Sequence, residues 1–183
     1  MRLHQAGGMR RREILSWADV DKLVDVLLPQ LREAGPFEEM IIITRGGIVP
    51  GGLIAEAMDI RSVLTASVYF PAGEPEDIGK PAAMAALPKF LQFPSDDLLR
   101  DRRLLIVDDV WGSGRTSTAV RSRVHAAGGR PFTCVFHFNP YRSLFAKAEP
   151  DYYGAVTDAY IVYPWEIERG VKGIPMDEPR FLG

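Results

Sequence analysis

The sequence predicts an α/β domain, a mostly parallel twisted sheet flanked by helices. Three observations carry that expectation. Arg103–Phe138 reads as strand, helix and strand in series, and two parallel strands need a crossover of this kind. Met40–Thr44 and Leu104–Val107 are short, continuous apolar runs, the pattern of strands covered on both faces. Each run is followed by a glycine-rich loop and then by a helix.

Ser16 stands as an N-cap ahead of Trp17-Ala18-Asp19, whose acid falls in the first turn. Val20, Leu23, Val24, Leu27, Leu28 and Leu31 then recur at helical spacing until Gly35-Pro36 stops the helix. Met40–Thr44 is the first buried strand. Arg45-Gly46-Gly47-Ile48-Val49-Pro50-Gly51-Gly52 reads as a sharp loop, with the next helix running through Leu53–Met58. Val63–Phe70 is a second strand. The segment from Pro71 to Pro88 holds four prolines, Gly73, Gly79 and several acids. An aperiodic connection of that length marks a functional lid or a disordered stretch. Phe90–Phe93 returns from it as a short strand. Arg103–Val110 is the clearest strand in the chain. Trp111–Thr116 leads from it into a helix that closes at Ala127, with Gly128-Gly129 as C-cap. Pro131–Phe138 completes the unit, and beyond Asn139-Pro140 the chain is rich in aromatic residues.

One domain accounts for the 183 residues. A hydrophobic share of 46% against 25% charged residues excludes a disordered chain. Lys and Arg number 22 against 24 Asp and Glu, a formal charge of −2, so nothing marks an electrostatic nucleic-acid binder. No run approaches the ~18 apolar residues of a membrane span. The basic start, residues 1–12, lacks the long apolar stretch of a signal peptide and reads as a poorly ordered lead-in. A single cysteine, Cys134, permits neither an intrachain disulfide nor a zinc site, which fits a reducing cytoplasm. Cys134 itself reads as a core residue, and His125 and His137 as structural histidines. Tyr152, Tyr153 and Trp165 suit either packing within a hood or contacts between subunits.

In an open parallel sheet, ligands bind beyond the carboxyl ends of the strands. Both glycine loops fall at such ends and so face one crevice. In the second, Gly112, Ser113, Gly114 and Thr116 place small residues at a helix N-terminus, and Arg115 adds charge. Free amides and the helix dipole favour a phosphate there. It is not a Walker loop: Gly46 and Gly51 of the first loop are followed by Gly52 where lysine is required. Nor is it a dinucleotide fingerprint, because Ser117 stands where the third glycine should. The distinguishing mark is the acid pair Asp108-Asp109 just before the loop. Carboxylates beside a phosphate nest suit a ligand with hydroxyls at one end and an anion at the other. A ribose 5-phosphate answers that description.

Leu104-Leu105-Ile106-Val107-Asp108-Asp109-Val110-Trp111-Gly112-Ser113-Gly114-Arg115-Thr116 resembles the phosphoribosyl diphosphate (PRPP) motif of type I phosphoribosyltransferases. Ser16-Trp17 with its helix, and Thr44-Arg45-Gly46-Gly47-Ile48-Val49-Pro50-Gly51, are similar to bacterial xanthine-guanine phosphoribosyltransferases. Tyr160-Ile161-Val162-Tyr163-Pro164-Trp165-Glu166 resembles their base-binding segment. The resemblance runs from about Ile14 to Glu166. It implies a single domain over residues 13–166, with a flexible loop at 71–88, a small C-terminal hood and a tail over 167–183.

The resemblance also implies roles. Asp108, Asp109 and Arg45 would form the catalytic set, the two carboxylates holding ribose hydroxyls directly or through Mg²⁺. Trp111, Gly112, Ser113, Gly114, Arg115 and Thr116 would cradle the 5-phosphate, and Arg45, Gly46 and Gly47 would bind pyrophosphate. Segment 71–88 would close over the site and exclude water. Tyr160 would stack on the base, where the xanthine-guanine enzymes have a tryptophan, and the Ile161 backbone would read the base edge. Two positions depart from the pattern. Gly112 stands where enzymes for 6-oxopurines carry an Asp that shares a proton with N7 of the base. Asn139 stands where they place a lysine against the 6-oxo group, and an amide accepts as well as donates. The implied activity is transfer of phosphoribosyl from PRPP to a nucleobase of the xanthine, guanine or hypoxanthine class, with release of pyrophosphate. Mg²⁺ is the implied cofactor, and a homodimer or homotetramer the implied assembly. A non-catalytic sensor of PRPP or a nucleotide is the alternative that Gly112 raises.

Overall fold

In the computed structural model, which describes residues 11–71, 87–145 and 147–168, the expected strand, loop and helix series is present. The elements are β1 (Arg12–Ile14), α1 (Trp17–Glu33), β2 (Glu39–Ile43), α2 (Ile48–Met58), β3 (Val63–Tyr69), β4 (Lys89–Gln92) and α3 (Asp96–Leu99). They continue with β5 (Arg103–Trp111), α4 (Arg115–Ala126), β6 (Arg130–Phe138), β7 (Tyr152–Val156), β8 (Tyr160–Val162) and α5 (Pro164–Glu168). Two units divide the chain: Asp21–Asp158, and Met1–Val20 with Ala159–Gly183.

The larger unit is built on a six-stranded sheet in the order β4-β3-β2-β5-β6-β7. Every neighbouring pair is parallel except β3 and β4, which run antiparallel with an irregularity between Ser67 and Val68. Met40, Ile41 and the run Leu104–Val107 are at most 1% exposed, so the two continuous apolar runs are covered on both faces as expected. On one side Ile41, Ile43, Leu104 and Ile106 pack with Leu99 of α3 and with Val120 and Val124 of α4. Each such side chain removed from water contributes about 1.5–3 kcal/mol. From β2 the chain steps to β3, then returns to β5 on the other side of β2. That reversal is the switch point at which open sheets of this type bind ligands. Ile42 pairs with Val107, so the loop after β2 and the acids of β5 emerge at the same edge.

The second helix begins earlier than its sequence suggests. α2 starts at Ile48, with Gly47 as N-cap, rather than after Gly52. Pro50 falls in the first turn, where the N–H it lacks would have had no helical partner. The loop is therefore short, and a helix N-terminus stands at the switch point. At its far end α4 closes as expected, with Gly128 at φ +86° and the Gly129 N–H donating to the Val124 carbonyl at 3.0 Å.

In the smaller unit, β1 pairs in parallel with β8, from Arg12 opposite Tyr160 to Ile14 opposite Val162. Ser16 caps α1 reciprocally: the Ser16 N–H donates to Asp19 Oδ2 (3.1 Å) and the Asp19 N–H to Ser16 Oγ (3.3 Å). The Trp165 ring stacks on Tyr163 with centroids 4.4 Å apart and meets Trp17 at 5.9 Å, so Trp165 packs within its own unit. Two boundaries move. Arg12 is already strand, and Ile167 and Glu168 complete α5 instead of opening a tail. The hood expected from the C-terminal side takes β1 as half of its sheet. The readings of a lead-in, a lid and a tail otherwise rest on residues 1–10, 72–86 and 169–183, outside the described residues. Among the described residues, no helix is long and apolar enough to cross a membrane.

Candidate active site

β5 carries its apolar run to Val107 and then presents Asp108-Asp109 at its carboxyl end. Asp108 is 9% exposed. Its Oδ1 accepts the Asp109 N–H (3.0 Å), and Asp109 Oδ1 accepts the Val110 N–H (2.7 Å). Burial, and then the charge of Asp109 beside it, push the Asp108 carboxyl well above its usual value. A buried acid next to a second acid favours a partner that brings hydroxyl donors or a cation.

The loop from β2 to α2 lies against these acids. A Cβ added to Gly46 would stand 2.5 Å from Asp109 Oδ1 and 2.7 Å from Asp108 Oδ1. Only a glycine allows that approach. The Thr44–Arg45 peptide is cis, a feature no residue pattern signals. Arg45 is exposed, and its carbonyl accepts the Ile48 N–H at 3.1 Å. The structure thus brings Arg45-Gly46-Gly47 and Asp108-Asp109 together.

In the second loop one side chain is turned inward. Trp111, expected among the phosphate-binding residues, is 1% exposed. Its ring lies beneath Gly114: at φ +76°, a Cβ there would run into the indole nitrogen and come within 2.6 Å of Cε2. The side chain is a support for the loop from below. Gly114 is the N-cap of α4, so the loop amides stand at the positive end of the helix. Ser113 is exposed, its Oγ accepting the Arg115 N–H at 3.4 Å. The Arg115 guanidinium lies 4.1 Å over the Phe70 ring, at the end of β3. Gly112 faces open space, with nothing within 4 Å of an added Cβ.

Asn139 follows β6 and is 1% exposed, its N–H donating to the Trp111 carbonyl at 2.9 Å. In the smaller unit Tyr160 is 44% exposed and Ile161 is buried. His137 is buried in β6, and desolvation lowers its pKa to about 4, in keeping with a neutral structural histidine. Burial also raises the Cys134 thiol far from reactivity. Tyr152 belongs to an aromatic group with Phe37 and Phe132, capped by the Arg103 guanidinium 4.1 Å over Phe132. Sequence reasoning passed over Ser143, whose hydroxyl meets the Trp111 indole. Nothing in its neighbourhood in the chain distinguishes it.

Among the described residues no three or more His, Cys, Asp or Glu side chains gather into a metal site. The acid pair nevertheless fits magnesium, which is held through one or two carboxylates together with water and substrate phosphates. A doubly wound sheet whose switch point sets such a pair between two glycine loops defines the type I phosphoribosyltransferase class. A xanthine-guanine phosphoribosyltransferase of Roseobacter denitrificans is 31% identical over 166 residues, covering 84% of this chain and 84% of that protein. The chain belongs to the xanthine-guanine phosphoribosyltransferase family. A solved purine phosphoribosyltransferase from Pyrococcus horikoshii matches with a TM-score of 0.69 and 27% identity, over 84% of this chain and 93% of that one. A Neisseria gonorrhoeae protein with bound ppGpp shares the fold at a TM-score of 0.72 and 21% identity, over 86% and 90% of the two chains. No family model matches the chain.

Proposed function

We propose that the protein transfers the 5-phosphoribosyl group of PRPP to a purine base of the xanthine, guanine or hypoxanthine class and releases pyrophosphate. The observation that carries this reading is the close approach of Gly46 to Asp108-Asp109, which supports a site with leaving-group donors on one loop beside carboxylates for the ribose. The names of the relatives support the purine class.

In this reaction the bond from ribose C1 to a pyrophosphate oxygen breaks, a bond from C1 to a base nitrogen forms, and the base gives up a proton. Positive charge gathers on the sugar ring and negative charge on the departing oxygens. Arg45 and the amide of Gly46 receive the pyrophosphate, while the Gly47 N–H, which donates to the Ile43 carbonyl at 2.8 Å, holds the loop in shape; donors placed where charge develops are each worth about 3–4 kcal/mol. Asp108 and Asp109 hold the ribose hydroxyls and would hold Mg²⁺, which when bound neutralises charge on the leaving group. The amides from Gly112 to Thr116 fix the 5-phosphate, so most of the protein's contribution is positioning. Tyr160 stacks on the base, Ile161 reads its edge and Asn139 meets the exocyclic oxygen. With no side chain at Gly112, the base proton passes to water or to another group. We also assign a homodimer or homotetramer and, from the single cysteine, the cytoplasm.

The deciding experiment is pyrophosphate release from PRPP with Mg²⁺ across hypoxanthine, xanthine, guanine, adenine and uracil. Release with one or more of the three oxopurines is the expected result. Silence across the panel, with tight nucleotide binding by calorimetry, would replace the enzyme with a sensor.

A further inference from the structure

Trp111 grips the neighbouring turn at both ends. Its carbonyl accepts the Asn139 N–H (2.9 Å), and its indole N–H donates to Ser143 Oγ (3.4 Å). One residue further on, the Leu144 N–H donates to the carbonyl of Ser113 (3.1 Å), tying the turn to the second glycine loop itself. Within the turn, the Arg142 N–H donates to the Asn139 carbonyl at 3.3 Å. The Ser143 hydroxyl uses its whole capacity: it accepts from Trp111 and from the Phe145 N–H (3.3 Å), and donates to the Phe145 carbonyl (3.2 Å). No other side chain of that size offers one donor and two acceptor sites at a single atom, apart from the threonine hydroxyl.

Beyond its first residue, the buried Asn139, packing holds little of this turn. Tyr141 is 80% exposed and Leu144 49%. A pocket of about 360 Å³, lined by Phe138, Pro140, Ser143, Phe145, Lys147 and Glu149, opens beside it. An element with an open pocket on one side and solvent on another is located by its hydrogen bonds. Three of those bonds reach out of the turn, two to Trp111 and one to Ser113.

We propose that Trp111 and Ser143 are positioning residues that hold the turn 139–144 at a set distance from the 5-phosphate loop. Neither side chain touches substrate. The inference rests on the reading above, in which the loop from Gly112 to Thr116 takes the phosphate and Asn139 meets the base. The span between those two groups in a nucleotide is fixed by covalent bonds. A turn free to drift from the loop would therefore lose the base while keeping the phosphate, since the phosphate amides belong to the loop and not to the turn.

Ser143→Ala, Ser143→Thr and Trp111→Phe test this, with Ser143→Ala decisive because it deletes one half-buried oxygen and leaves the core alone. Losing a hydrogen bond of this kind is expected to raise the KM for the oxopurine about three- to tenfold. The KM for PRPP and the Tm stay near those of the parent. Ser143→Thr restores the base KM, and the Trp111→Phe/Ser143→Ala double variant raises the base KM by less than the product of the two single effects, because the Trp111–Ser143 bond is lost in both. Equal rises in both KM values, an unchanged base KM, or strict additivity would overturn the proposal. Amide hydrogen exchange in the unliganded protein separates it from the functional reading. Faster exchange at Asn139 and Leu144 in Ser143→Ala supports the latch whether or not any base is turned over, and unchanged exchange there overturns it. Absence of turnover in the parent overturns the reading of function and leaves the exchange result to decide the latch.

Discussion

Gly46 stands against Asp109 so closely that a methyl group on Gly46 would lie 2.5 Å from a carboxylate oxygen of the acid. This contact joins two residues 63 positions apart in the chain, by their numbering. It also makes the glycine a sharp probe of the site. The acid cannot swing away freely, because the same oxygen accepts the Val110 N–H.

Gly46→Ala is accordingly expected to push the first loop away from the acids. Misplacement of a catalytic element by about 1 Å costs on the order of 10²-fold in rate. Steady-state kinetics with PRPP and an oxopurine check this, and the overpacking cost of about 1–3 kcal/mol is read from the urea midpoint.

Asp108→Asn separates stability from activity. Because the folded-state pKa of Asp108 is raised, its contribution to stability is full below the ordinary value of 3.8 and is lost as pH rises through the folded value. The asparagine variant escapes that loss. It should match the parent at pH 3 and exceed it at neutral pH, with about 2–4 °C in Tm for each kcal/mol relieved. Its kcat should fall by about 10²-fold or more if the carboxylate serves the developing charge. Mg²⁺ should raise the Tm of the parent more than that of the variant.

Gly112→Asp should be tolerated structurally, since an added Cβ meets nothing within 4 Å. A stability change within about 0.5 kcal/mol is expected, as for an open surface position. If the base proton limits turnover, the new carboxylate should raise kcat with guanine or hypoxanthine by up to about 10²-fold. It should also add an acid limb to the pH profile. An unchanged kcat would show that proton removal is not limiting.

His137 makes the opposite pH prediction to Asp108. Its folded pKa is depressed to about 4 from 6.5 by burial, so its contribution is present above pH 6.5 and is lost as pH falls toward 4. The loss across that window is about 3 kcal/mol. Urea unfolding of the parent and of His137→Gln at pH 7 and pH 4 should show the variant losing less.

Much of the site can be read from the chain because its parts are contiguous. The apolar run, Asp108-Asp109, the loop to Gly114 and the helix beyond follow one another, and each has a local physical signature. The start of α2 was harder to place. Gly47, Pro50, Gly51 and Gly52 look like loop residues, although proline is at home in a first helical turn. The pairing of β1 with β8 was invisible, because three-residue strands carry too little periodicity to identify and their partners lie at opposite ends of the sequence.

By itself, then, the sequence determined the order of parts along the chain: a buried strand, an acid pair, a glycine-rich loop and a helix. Backbone preferences and short-range patterning act between neighbours, and neighbours are what a sequence shows. Only the tertiary structure decided that Gly46 meets Asp109, that Trp111 points inward under Gly114, and that Ser143 fastens a turn to it. Those contacts depend on strand register and close packing between segments far apart in the chain, where a shift of a single residue would change every partner.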